Sequence, residues 1–232
     1  MTNLSCQTLE YRTSDLVGVL DCLNQLGSPT LVGRLSEPLD EAKANAIFDG
    51  VYHVLLSLVK SRREQLSEIF PNLTGLLGPL FYCFVTEHQT VSRRQQTKSL
   101  NTHAKAKPFS IITTFAPLSD LAAQNFARLV TTLCTRPTNQ AGKPSTSTFL
   151  KAFGKHAPYL IAEYLSIQTN PTASISKLSI RNAIVPGLYA LLDLCGEHER
   201  DMVMVTLDLT GKSLFKNLYN DYLQYHKYTG KA

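Results

Sequence analysis

Hydrophobic positions along this chain recur mostly at intervals of three and four, the spacing that places them on one face of an α-helix. Leu16, Val19, Leu20, Leu23 and Leu26 follow Thr13-Ser14-Asp15, a cluster suited to cap a helix, and Gly27 ends the run. A second helix is expected from Pro38-Leu39-Asp40, with Ala46, Ile47, Val51, Val54, Leu55, Leu58 and Val59 as its apolar stripe. Proline is tolerated at such a start because its missing N–H would be unpaired anyway. Further helical stretches are expected from Arg63 to Phe70 and from Leu73 to Thr86, punctuated by Pro71 and Pro79.

Residues 88–116 break this pattern. They are polar, basic and without helical periodicity until Phe109 to Ile112, so they read as a loop or linker. Helices resume at Pro117: Ser119-Asp120 opens a run carrying Leu121, Phe126, Leu129, Val130 and Leu133, ended by Arg136-Pro137. After the Gly, Pro and Ser loop from Thr138 to Thr148 come Phe149 to Lys155, Pro158 to Ile167, and Lys177 to Cys195. Proline inside the last of these, at Pro186-Gly187, predicts a kink. A short helix from Glu197 to Asp208 and a final one from Lys212 to Tyr228 complete the pattern. The final helix has Leu214, Phe215, Leu218, Tyr219, Tyr222 and Leu223 on its apolar face.

The organisation expected is an N-terminal helical part (1–87), a basic loop or linker (88–116) and a C-terminal helical part (117–232), packed as one unit. Met202 to Leu209 alternates as a strand would, yet a lone strand among helices has nothing to pair with, so helix is expected there. The fold class is all-α: an irregular helical bundle, or an α-solenoid-like stack of antiparallel helices. No repeat of fixed period stands out.

Apolar residues make up 44% of the 232, enough for a real core, while charged residues are only 18%. A thinly charged surface suits a piece that packs against something else. The most apolar stretch, Leu73 to Val85, is far shorter than the roughly 20 residues a membrane helix needs. Met1 to Tyr11 has neither basic residue nor apolar run, so no secretory signal is expected there. Cys6, Cys22, Cys83, Cys134 and Cys195 are odd in number, far apart and without a Cys-x-x-Cys. Buried thiols in a reducing compartment fit them better than zinc or disulfides.

Charge is informative by its position. The net charge is +5, and Arg93, Arg94, Lys98, Lys105 and Lys107 lie between His88 and Lys107 without one Asp or Glu. Without those five, eighteen basic residues match eighteen acidic ones, so the whole surplus sits in one polar segment. Such a segment can neutralise phosphates and release counterions. With no aromatics inside it to stack bases, it suits backbone contact with RNA, a nuclear-import signal or a solvated loop.

Chemistry is sparse. Thr210-Gly211-Lys212-Ser213 ends like a phosphate-binding loop, but the first glycine that loop needs is replaced by Thr206. The six histidines (His53, His88, His103, His156, His198, His226) are scattered, and no Gly-x-Ser-x-Gly elbow is present. Asp193, Glu197, Glu199 and Asp201 crowd a helix junction, where capping or solvated roles are common. No cofactor, metal, small-molecule substrate or catalytic residue is expected. In the final helix Tyr219, Tyr222, Tyr225 and Tyr228 recur every three residues, a pattern that serves a core or a partner surface.

Two late stretches resemble a known family. Ala183 to Cys195 carries Pro186-Gly187-Leu188-Tyr189-Ala190-Leu191-Leu192-Asp193, and Leu214 to Lys227 carries Phe215-Lys216-Asn217-Leu218-Tyr219-Asn220-Asp221-Tyr222. Together they resemble the C-terminal domain of the unhealthy ribosome biogenesis protein 2 family, as do Arg128 to Cys134 and Ala157 to Tyr164. The resemblance runs from about residue 120 to 228. It implies a nucleolar, non-catalytic helical scaffold for large-subunit assembly and precursor rRNA processing. Its implied partners are pre-ribosomal assembly factors, including a larger helical-repeat protein. Pro186, Gly187, Tyr189, Asp193, Phe215, Lys216, Tyr219, Asp221 and Tyr222 become candidate structural or interaction residues. Arg93, Arg94, Lys98, Lys105 and Lys107 are the candidate RNA contacts. Members are much longer, with this domain at the far end, so the chain is expected to be a fragment, a partial gene model or a free-standing version. A helical protein-interaction module of another nuclear complex, without RNA contact, is the alternative.

Overall fold

A computed structural model describes residues 12–26, 40–87, 117–136 and 144–227, with side chains of the last stretch described from Thr148 onward. Helix α1 spans Thr13–Leu26. The Asp15 carboxylate reaches back to accept from the Arg12 N–H at 2.9 Å, satisfying a donor that a helix start leaves open. Helix α2, Glu41–Ser61, is capped by Asp40, which accepts from the Lys43 N–H. Then α3 (Arg63–Leu66), a 3-10 turn (Ser67–Ile69) and α4 (Phe70–Leu80) follow almost without a break. Pro71 sits in the first turn of α4, where proline is tolerated.

The helix expected to run to Thr86 stops at Leu80. Residues Phe81–Phe84 tighten into a 3-10 turn, and Thr86–Glu87 (β1) pairs antiparallel with Ala173–Ser174 (β2), the lone sheet among the described residues. The remaining helices are α5 (Asp120–Cys134), α6 (Pro144–Gly154), α7 (Ala157–Thr169), α8 (Leu178–Leu194), α9 (Glu197–Thr206) and α10 (Leu209–Tyr225). The alternating segment Met202 to Leu209 is divided between helices α9 and α10 and their junction, as its isolation predicted. Helix α8 runs unbroken through Pro186. Helix α10 begins three residues earlier than expected because Asp208, accepting from the Gly211 N–H at 2.7 Å, is its cap.

Contacts between ends define the arrangement. Ser119, which caps α5, donates to Asn45 near the start of α2, and Asn125 donates to Asp49 further along both helices. Asp120 at the start of α5 meets Ser179 and Lys177 at the start of α8. The three helices α2, α5 and α8 therefore lie side by side and parallel. A second layer runs the other way. The ring of Phe70, opening α4, meets Phe153 and His156 just before α7, while Phe81 after α4 meets Tyr164 midway along α7. Thr13 at the start of α1 donates to Glu68 just before α4, placing α1 in this layer too. Each long helix is thus followed by one that returns antiparallel, and equivalent helices stack parallel, as in an α-solenoid.

Residues from both sides of the 88–116 segment share one hydrophobic core. At its centre Phe81 packs edge-on to Phe126 at 4.9 Å, and Phe84 edge-on to Phe48 at 5.4 Å. The α2 stripe read from periodicity is turned on its axis: Ala44, Phe48, Val51, Tyr52, Leu55 and Val59 are buried, whereas Ala46 and Val54 are exposed. The two large rings decide the buried side, because each removes far more apolar area from water than an alanine does. Leu121, expected in the core, is 64% exposed.

Candidate interaction surface

The late motif residues meet where α10 lies against the C-terminal half of α8. The Tyr222 hydroxyl donates to Asp193 Oδ1 at 2.7 Å, and His226 Nε2 lies 2.9 Å from Asp193 Oδ2. Tyr189 packs against the rings of Tyr222 and His226 at 5.9 and 5.4 Å, and Tyr219 stacks between Phe215 and Tyr222. The Arg200 guanidinium lies 5.3 Å from the Tyr219 ring centre while donating to the Cys195 carbonyl. Phe215 and Tyr222 are buried, Tyr189 and Tyr219 half-buried. Burial and the bond to Asp193 push the Tyr222 hydroxyl well above the usual tyrosine range.

Lys216 and Asp221 are exposed on α10, and Pro186 is exposed on α8. Gly187 does something else: it faces α5, where a Cβ would stand 3.1 Å from Ala127 Cα and 3.3 Å from its carbonyl oxygen. Tyr189, Asp193, Phe215, Tyr219 and Tyr222 thus come together, Lys216 and Asp221 flank them, and Pro186 and Gly187 belong to the α5–α8 seam. Arg93, Arg94, Lys98, Lys105, Lys107 and Tyr228 lie outside the described residues. His226 and Arg200 complete the cluster without having been singled out. His226 falls within the Leu214 to Lys227 stretch but after its Phe215 to Tyr222 motif, and only the packing brings Arg200 near.

Tyr222→Phe keeps the ring packing and removes one hydrogen bond to a carboxylate, so a loss of about 1–2 kcal/mol is expected in urea denaturation. Alkaline pH tests the buried groups together. Burial lifts Tyr164 and Tyr82 to about 12, the latter helped by Glu163, and lifts the thiols of Cys134 and Cys195, Cys195 to about 12. Folded chains therefore hold these protons where unfolded chains release them. Their contribution is intact below about pH 8 and declines as pH rises toward about pH 12. The urea midpoint should fall steadily over that range. Tyr164→Phe should flatten the upper part of the decline.

Nothing at the Thr210 to Ser213 segment resembles a phosphate loop. It follows helix α9, not a strand, and the Gly211 N–H that would meet a phosphate is taken by Asp208. Among the described residues no group of three or more His, Cys, Asp or Glu side chains could hold a metal ion. No described helix is long and apolar enough to cross a membrane. A shallow groove of about 250 Å³ lies between α2 and α5, lined by Asn45, Asp49, Leu121 and Asn125 among others.

The sequence matches the model of the Urb2/Npa2 family over residues 10–231. It is also 25% identical over 200 residues to the "Probable nucleolar pre-ribosomal-associated protein 2" of Schizosaccharomyces pombe. That alignment covers 83% of this chain and 14% of the relative, so the chain spans a small part of the relative's length. No solved structure matches. The family resembled by the late motifs is the one that matches, and the match extends through the N-terminal helices as well.

Proposed function

The chain belongs to the Urb2/Npa2 family, and from that membership we propose that it is a non-catalytic helical scaffold segment of a nucleolar assembly factor for the large ribosomal subunit. The observation that carries this reading is the family match across nearly the whole chain, joined to a relative named as nucleolar and pre-ribosomal. The architecture supports it. Two layers of stacked helices with a continuous core offer long side surfaces for protein contacts. Its partners on this reading are pre-ribosomal assembly factors, including a larger helical-repeat protein, and it works in precursor rRNA processing within the nucleolus.

Arg93, Arg94, Lys98, Lys105 and Lys107 supply a secondary contact with rRNA in this proposal. The support is their charge, concentrated in a segment without carboxylates. The test is binding of the purified chain to large-subunit precursor rRNA fragments across a salt series, beside a chain with those five residues changed to Ser. Five phosphate contacts give a log–log slope of roughly −3.5 on single strands, lost in the changed chain. Equal binding by both chains removes the RNA contact and leaves protein partners to carry the function.

A further inference from the structure

The aromatic cluster continues outward into a face shared by α8 and α10, where Asp221 and Tyr225 are exposed. Tyr189 and Asp193 stand four residues apart on α8, and Asp221 and Tyr225 four apart on α10, so each helix presents one ring and one carboxylate on the same side. Asp221 and Tyr225 lie close enough to Tyr189 that, after burial, their charges help hold its hydroxyl protonated. Tyr225 is 63% exposed, among the largest exposed rings described. Asp221 is exposed, and the Asp193 side chain is 48% exposed although Tyr222 and His226 use one oxygen each.

Charge decides what such a face can take. No lysine or arginine among the described residues forms an ion pair with Asp193 or Asp221. Lys212 and Lys216 lie about half a turn away round α10, on its opposite flank. Phosphates would meet two carboxylates here, which excludes an RNA backbone. A cation with a flat face suits it: guanidinium stacks on tyrosine while its fork of N–H donors bonds carboxylates, and a carboxylate accepts several such bonds.

We propose that the face formed by Tyr189, Asp193, Asp221 and Tyr225 binds an arginine-rich segment of a protein partner. This rests on the scaffold reading, for which it names one contact surface and the chemistry that fills it. Tyrosine and arginine at the centre of a contact are also the residue types that dominate binding energy between proteins.

The test is fluorescence anisotropy of a labelled arginine-rich peptide titrated with the purified full chain, beside a lysine-rich peptide of equal length. The chain is itself basic, with net charge +5, so general attraction works against either peptide. The expected result is saturable binding of the arginine peptide, weaker binding of the lysine peptide, and a loss of about tenfold in Tyr225→Ala. Asp221→Lys should abolish binding. Both side chains are exposed, so melting temperatures should stay at the wild-type value. No saturable binding, equal binding of both peptides, or unchanged affinity in the two variants overturns the proposal. A chain that recovers pre-ribosomal proteins from cells yet ignores the arginine peptide keeps the scaffold reading and loses this face.

Discussion

Replacing Gly187 with leucine is expected to lower the stability of the chain by about 3 kcal/mol. Gly187 sits inside α8 at the point where that helix touches α5, and the two backbones meet there without side chains between them. A Cβ would press on Ala127 Cα at 3.1 Å and on the Val130 Cβ at 3.4 Å. Backbone cannot swing aside as a flexible side chain can. The seam around it is closed and apolar, lined by Phe81, Phe126, Val130, Ile184 and Leu191. Leucine's further atoms have no space to enter. Alanine separates the opposing effects: it gains about 1 kcal/mol of helix propensity over glycine and loses about 1–3 by crowding. Gly187→Ala should therefore be milder than Gly187→Leu, and both are read from urea midpoints followed by circular dichroism.

Arg63→Met is the second large effect, also about 3 kcal/mol. Arg63 is 8% exposed and bonds the carbonyls of Leu133 and Thr135 at 2.5 and 2.7 Å, with Thr132 at 3.4 Å. Those oxygens end helix α5, where no intrahelical N–H is left to meet them and the helix dipole is negative. Its guanidinium also lies 4.4 Å from the centre of the Phe149 ring. Methionine matches the stem but leaves buried carbonyls without a donor. Burial already pulls the Arg63 pKa down from its usual value, so the site holds a charge at a cost that those bonds offset. Arg63→Lys should recover part of the loss, since an ammonium cannot span three acceptors as a planar fork does. Thermal melts of the three chains give the ranking.

These two residues mark how far the chain could be read from its letters. Periodicity located the helices because each long one buries a face, and capping chemistry placed Asp40 and Ser119 at or near true starts. Gly187 was visible as part of a Pro-Gly pair, but its close approach depends on Ala127, which lies in another helix and is distant in sequence. Arg63 stood in the sequence only as the start of an expected helix. Only tertiary packing brings the end of α5 to it. Ala46, Val54 and Leu121 were assigned to the core by spacing, yet the rings of Phe48 and Phe126 decide which side is buried. The Tyr222–Asp193 bond was half legible: both residues stand in the late motifs, while their partner His226 lies at the margin of one.

The scaffold reading is tested most directly by affinity purification of the tagged chain from cells, alongside Gly187→Leu, with large-subunit precursor rRNA and assembly proteins quantified. Both are expected to be enriched with the intact chain and reduced with the variant, whose crowded α5–α8 seam destabilises the stack that forms the contact surfaces. An intact, folded chain that enriches neither precursor rRNA nor large-subunit assembly proteins would contradict it.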